Sequence, residues 1–380
     1  MSLNAKIREY TEELDQQGLL RVRKVSEPSN SSLIHFDSND YLSLSHDERI
    51  SEAYRYAYTK FPAGSGASML LSGYHPNHQA VERAFADLLD VDECILFSSG
   101  YAANLAITAL LGSLKSHCFI DKSIHASVYD GLALSEVSYT RYKHNDMTDL
   151  AMKLSTAAPL SALITEGVFS MTGQITPLSE ISTLCINQQI ELLVDEAHSF
   201  GVLGEQGKGA VHYNRLNQKE VPLRIIPFGK AFAAQGAVVA GQKEWINALL
   251  QAGRSVIYST AISPAQSYGL LKTLDVVREA DDRRLHLTEL IILFKDQIKV
   301  SPLKWIESST PIQQLHLGCP HLALYYAHEL KKRGFSCSAI RTPTVNTRST
   351  GLRVILNYRH QQEQIQQLFL NLHTIYEHKH

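Results

Sequence analysis

At 380 residues, 44% hydrophobic and 19% charged, the chain is long enough for more than one lobe and ordinary in composition for a globular protein. A net charge of −2 leaves no basic field for nucleic acid, and no run approaches the roughly 18 apolar residues a membrane helix needs. The acidic start (Glu9, Glu12, Glu13) lacks the apolar centre of a secretory signal. The five cysteines, Cys94, Cys118, Cys185, Cys319 and Cys337, are widely spaced, which fits free thiols in a reducing cytoplasm better than a disulfide framework or zinc ribbon.

In chain order, Leu3, Ile7, Tyr10 and Leu14 mark one face of an N-terminal helix. Arg21, Arg23 and Lys24 form a basic cluster before a polar turn at 26–32; a solvated face is its ordinary meaning, and an acidic substrate its functional one. Phe36 leads a short strand into Asn39-Asp40-Tyr41-Leu42, and residues 62–74, rich in Gly and Ser, read as irregular. Ala80/Val81, Ala84/Phe85 and Leu88/Leu89 give the next helix its core stripe. Strand-like runs follow at 94–97, 117–121, 138–142, 162–166, 190–195, 223–226 and 236–240, with a helix apolar almost all round at 101–114. Such alternation predicts an α/β fold with a mostly parallel seven-stranded sheet. Beyond about residue 280, helical stripes (Leu287, Leu290, Ile291, Phe294; then Ile365, Leu368, Phe369, Leu372, Ile375) and short strands near 313–317 and 352–356 predict a smaller α+β lobe. The expected division is an N-terminal helix and arm over 1–50, a large domain over 51–280 and a small domain over 281–380.

Three stretches carry chemistry. The apolar run Leu223 to Ile226 leads through Pro227-Phe228-Gly229 to Lys230 and Ala231, whose small neighbours clear space for the lysine stem. Alone, that pattern more often marks a strand-end lysine reaching water; a lysine kept in the core must pair, lose its proton or form an adduct. The run Ile190 to Val194 ends in Asp195-Glu196-Ala197-His198, at the carboxyl end of a strand, where open parallel sheets bind ligands. Amine, acid and imidazole together suit pyridoxal phosphate (PLP): the lysine takes the aldehyde, Asp195 keeps the pyridine nitrogen protonated and His198 bonds the ring oxygen. Ser98-Ser99-Gly100-Tyr101 ends a strand and opens the buried helix, whose N-terminus would receive the phosphate.

Other motifs fail. Asp195-Glu196-Ala197-His198 spells a helicase metal box, but the required phosphate loop is missing, since Gly207-Lys208 is followed by glycine. No Gly-x-Ser-x-Gly elbow is present. His75 and His78 have no acidic or thiol partner nearby, so no metal site is expected.

Taken in order, the motifs resemble those of the α-oxoamine synthases, which are fold-type I PLP enzymes, over nearly the whole chain. The resemblance rests on Asn39 to Leu42, Gly64 to Tyr74 with His78, Ser99 to Asn104, His125-Ala126-Ser127, Thr165 to Met171, Asp195 to His198, Phe228 to Phe232, Ile257 to Thr260, Ala339 to Arg341 and Leu352-Arg353. It implies decarboxylative condensation of L-alanine with a pimeloyl thioester, carried on coenzyme A or acyl carrier protein, in biotin synthesis. A sibling reaction, that of a glycine C-acetyltransferase or autoinducer synthase, is the alternative. It further implies a cytoplasmic homodimer in which Ser259 and Thr260 reach the neighbour's cofactor phosphate. Lys230, His125, Asp195 and His198 become catalytic, with Ser99, Gly100, Tyr101, Glu166 and Ser170 also at the cofactor. Asn39, Arg353 and Arg341 become substrate-binding, and the basic cluster adds Arg21 and Arg23 as substrate-binding candidates. Three departures from the pattern bear on phosphate affinity and loop geometry: Pro227 in place of threonine, Thr172 and Gln174 in place of acids, and Ala67 in place of glycine.

Overall fold

The computed structural model describes residues 1–17, 19–21, 23, 25, 33–342, 344, 345 and 349–378. Lys24 and the polar turn at 26–32 lie outside them. The chain runs α1 (Leu3–Gln16), β1 (Ile34–His35), α2 (Glu48–Lys60), α3 (Pro76–Leu89), β2 (Glu93–Phe97), α4 (Gly100–Ser113), β3 (His117–Asp121), α5 (Ala126–Leu134), β4 (Tyr139–Tyr142), α6 (Met147–Leu154), β5 (Ser161–Glu166), α7 (Leu178–Asn187), β6 (Glu191–Asp195), α8 (Ala210–Tyr213), β7 (Leu223–Pro227) and β8 (Ala237–Gly241). Then come α9 (Lys243–Ala252), α10 (Arg254–Ile257), α11 (Pro264–Arg278), α12 (Asp281–Lys299), β9 (Trp305–Ile306), β10 (Ile312–His316), α13 (Pro320–Lys332), β11 (Phe335–Ser336), β12 (Ser338–Ile340), β13 (Gly351–Ile355) and α14 (Gln362–Glu377).

The large sheet has seven strands in the order β2-β8-β7-β6-β5-β3-β4. Each of the seven predicted runs forms one of them. Only β8 runs against its neighbours, β2 and β7; the rest pair in parallel. Both faces of this sheet are covered, which is why β5 to β8 read as nearly unbroken apolar runs. On one face α4 and α5 pack tightly enough that a Cβ on Gly131 would lie 2.2 Å from Thr108 Oγ1, and Ile107, Val128, Leu249, Ile225 and Val239 share one core. On the other face Phe85, Ile226, Phe228, Leu274, Leu290 and Leu352 join a core that continues into the C-terminal lobe. That lobe holds an antiparallel sheet in the order β12-β13-β10-β9. β1 pairs with β11, and Ile355 N–H donates to Phe36 O (2.8 Å), so the segment before Asn39 is tied to the C-terminal lobe.

Helix α1 forms as predicted but has no buried residue; its apolar positions Leu3, Ile7 and Tyr10 are exposed. His75 and His78 close the N-terminus of α3: Asn77 N–H donates to His75 Nδ1 (3.1 Å) and His75 N–H to His78 Nδ1 (2.8 Å). Among the described residues no group of acids, histidines and cysteines is arranged to hold a metal, all five cysteines are free, and no helix is long and apolar enough to cross a membrane.

Glu196, beside the presumed site in sequence, serves the fold instead. It is fully buried and accepts from Arg224 Nε (3.1 Å) and Nη2 (2.7 Å) and from the amides of Ala210 (2.6 Å) and Val211 (3.0 Å), with Ser199 Oγ as a further donor. Glu196→Leu leaves two amides without their acceptor and the buried Arg224 guanidinium with only the Lys208 carbonyl. It should cost about 3–5 kcal/mol, read as a lowered urea midpoint; a midpoint near that of the unchanged protein would contradict this accounting.

Candidate active site

At the carboxyl ends of β5, β6 and β7 lies a cavity of about 400 Å³, lined by Ser99, Gly100, Tyr101, Asn104, His125, Glu166, Asp195, His198, Pro227 and Lys230 among others. The chain thus brings together the predicted amine, acid, imidazoles and helix terminus. Lys230 arrives on a turn after β7, closed by Ala233 N–H donating to Lys230 O (2.8 Å) and Ala234 N–H to Phe228 O (2.9 Å), with Ala233 at φ 51°. Phe228 and Phe232 anchor the turn from either side of the lysine: both are buried, their rings lie 4.7 Å apart, and Phe85 packs on each. The Ala231 methyl packs against Gly201, where a Cβ would lie 2.7 Å from it and φ is +83°.

Asp195 is 4% exposed. Its Oδ1 accepts from Ala197 N–H (2.9 Å) and its Oδ2 from Asn104 Nδ2 (3.1 Å), which also donates to Ser127 Oγ (2.9 Å). Asn104 was the polar residue to notice in an otherwise apolar helix. Burial lowers the Lys230 ammonium below the ordinary lysine value, against the pull of Asp195 and Glu166. It likewise lowers His125, against the pull of Asp195. His125 caps α5, its Nδ1 2.8 Å from Ser127 Oγ.

The start of α4 closes one end of the cavity. Ser99 caps the helix by accepting from Ala102 N–H (3.1 Å), which leaves Gly100 and Tyr101 at the cavity. A Cβ on Gly100 would lie 2.4 Å from Pro227 Cγ, so the glycine admits the proline ring that replaces the expected threonine. Gln174, another departure, still anchors its loop: its Oε1 lies 2.9 Å from His144 Nε2, and His144 Nδ1 lies 3.0 Å from Asp121 Oδ1. The carbonyl of Ala67 accepts from Ala261 N–H (3.0 Å).

Arg353, on β13, joins the site from the C-terminal lobe. Its Nη2 donates to Asn39 Oδ1 (2.9 Å) and its Nε to the carbonyl of Ser170 (2.6 Å), so Ser170 meets Arg353 through its backbone. Tyr41, beside Asn39, reaches His198 Nδ1 at 2.6 Å. Other predicted residues do not gather here. Ser259 and Thr260 line an adjoining small hollow with Met69 and Phe97, and Ser98 lines both it and the cavity. Arg21 and Arg23 are exposed, and Arg341 follows β12; among the described residues none of the three lines the cavity.

These features are those of a fold-type I PLP enzyme. A buried acid and a desolvated lysine line one cavity, and a helix N-terminus closes one end. The family model "Aminotransferase class I and II" matches residues 31–370. An 8-amino-7-oxononanoate synthase of Hahella chejuensis is 38% identical over 89% of this chain and 86% of its own length. One of Photobacterium profundum is 36% identical over 98% and 97%. A solved 8-amino-7-oxononanoate synthase of Francisella tularensis superimposes with a TM-score of 0.80 at 33% identity, covering 91% of this chain and 99% of its own. The serine palmitoyltransferase of Sphingomonas wittichii, at 24% identity, shares the fold with a TM-score of 0.89 over 99% and 98% of the two chains. The chain belongs to the aminotransferase class I and II family and, within it, to the family of the 8-amino-7-oxononanoate synthases.

Glu166 sits beside Asp195 in the β5–β6 register, 2% exposed, and its Oε1 has no partner. Burial, with the Asp195 charge, raises its carboxyl well above the ordinary range. The folded chain therefore holds this proton to higher pH than the unfolded chain does. The stability protonated Glu166 contributes is complete below the unfolded value and is lost as pH rises. Glu166→Gln, neutral at every pH, should lack this loss, so the variant should gain on the unchanged protein above about pH 5 by up to about 1.4 kcal/mol per pH unit. Urea unfolding of both cofactor-free proteins from pH 5 to 8 measures it; parallel pH profiles would mean that Glu166 is ionised.

Proposed function

We propose that this chain, working in the cytoplasm, condenses L-alanine with a pimeloyl thioester of coenzyme A or acyl carrier protein, giving 8-amino-7-oxononanoate, carbon dioxide and free thiol with PLP as cofactor. The observation that carries this reading is the carboxylate clamp of Arg353 and Asn39 beside the Lys230–Asp195–His198 set. Bound PLP supplies a protonated pyridine ring that takes up negative charge from the α-carbon of an amino acid.

The chain's own groups do the rest. Asp195, held by Asn104 and the Ala197 amide, keeps a proton on the pyridine nitrogen. The start of α4 and its Gly100 receive the phosphate, while Pro227 offers neither a hydroxyl nor an N–H to it. Arg353 and Asn39 orient the alanine carboxylate by charge-assisted bonds. Lys230, whose burial favours the neutral amine, removes the α-proton. The α-carbon then bonds to the thioester carbonyl carbon, the thiol leaves, and the alanine carboxylate departs as carbon dioxide. His125 and Glu166, which line the cavity, would lie beside the ring, and by the resemblance Ser170 would tune its phenolic oxygen. Arg341, by the resemblance, and Arg21 and Arg23, by their basic cluster, are the candidates to meet the acidic groups of the substrates. Ser259 and Thr260 lie outside their own cavity, which supports a homodimer in which each pair serves the partner's phosphate.

The test is a product assay with pimeloyl-CoA and a panel of amino acids. L-alanine should give the keto amine and carbon dioxide; faster turnover of glycine with acetyl-CoA would assign the chain to the glycine C-acetyltransferases instead. Asp195→Asn should lower turnover by about 10²–10⁴, the rate equivalent of breaking a buried ion pair, and a loss of only a few-fold would remove Asp195 from this role.

A further inference from the structure

Tyr41 is the buried group at the site that the mechanism leaves unused. It is 0% exposed, and its backbone carbonyl accepts from Tyr358 N–H (2.9 Å), which fixes it against the C-terminal lobe. Its hydroxyl has two acceptors within reach, His198 Nδ1 at 2.6 Å and Asn39 Oδ1 at 3.2 Å, and one proton to give. The contact to His198 is the shorter of the two, and Asn39 Oδ1 already accepts from Arg353 Nη2 at 2.9 Å.

The charged and titratable groups around the pair are Lys230, Arg353 and His125, with Asp195 beyond His125. Burial and the first three hold His198 well below the ordinary histidine value, so its ring is neutral and carries a single N–H. Burial raises the Tyr41 phenol, so it keeps its proton to donate. A neutral imidazole that accepts at Nδ1 must carry its hydrogen at Nε2.

Resting on the functional reading above, we propose that Tyr41 is a positioning residue that locks His198 in the Nε2–H tautomer, so that His198 always donates to the cofactor's ring oxygen. Without the lock, the imidazole would also populate the opposite tautomer, which turns a lone pair to that oxygen and repels its anionic form. The lock adjoins the carboxylate clamp: Tyr41 also touches Asn39 and Arg353, which bond each other directly.

The test uses Tyr41→Phe, which keeps the ring and removes the hydroxyl, in the PLP-loaded protein without substrates. The pH at which the cofactor's absorbance titrates should rise by about 0.5–1, the equivalent of one lost hydrogen bond. In a His198→Asn background, where the donor has no tautomer to choose, Tyr41→Phe should add no further rise. In turnover, kcat for alanine should fall about tenfold while KM stays within about twofold. An unmoved titration, or a full second rise in the His198→Asn background, would overturn the proposal. Ring ¹⁵N resonances of His198 in the cofactor-free unchanged protein decide the matter even if the variant folds poorly or PLP does not bind. An unprotonated Nδ1 supports the lock and a hydrogen on Nδ1 refutes it. Failure of the unchanged protein to take up PLP would count against the functional reading alone.

Discussion

Asp195 and Lys230 share one desolvated space, and the surrounding structure keeps them there. β6 and β7 run side by side in parallel, with Asp195 opposite Ile225, and the chain passes two residues beyond that register before turning back with Lys230. Burial favours the neutral amine while the Asp195 carboxylate favours the ammonium, so the two effects on the lysine oppose each other. Two kinds of support hold the geometry. Asn104 and the Ala197 amide fix the carboxylate, and the Phe85–Phe228–Phe232 cluster fixes the turn that carries the amine. Glu196, next to Asp195, takes the opposite face and ties β7 to the start of α8 through Arg224 and two backbone amides.

The second lobe completes the site instead of merely covering it. Arg353 crosses from β13 to Asn39 and to the carbonyl of Ser170, so the group that would read a substrate carboxylate spans both lobes. The segment at Asn39 and Tyr41 is itself pinned between them, through β1 on one side and His198 on the other. A shift between the lobes would therefore disturb substrate orientation and the His198 ring together.

Much of this was legible in the sequence, for physical reasons. Parallel strands covered on both faces read as apolar runs, so β5, β6 and β7 stood out, and with them the polar residues at their carboxyl ends. Helix α4 announced itself by being apolar almost all round, and the Ser99–Gly100 turn at its head does line the cavity. The reversal of β8 had no sequence signal, because a fully buried strand has the same pattern in either direction. β9 and β12, at two and three residues, are too short to show a period. Contacts such as Tyr41 to His198, 157 residues apart, or Arg353 to Asn39, 314 apart, leave no local trace. Ser259 and Thr260 entered only through the family pattern, and within one chain they line a different hollow from the one they were expected to serve.

The account stands on Lys230 as the amine that holds the cofactor. The direct measurement is to load the protein with PLP, reduce it with borohydride, digest it and map the pyridoxyl group by mass spectrometry. The account predicts a single modified peptide with the group on Lys230. A group on any other lysine, or none retained after reduction, would contradict it.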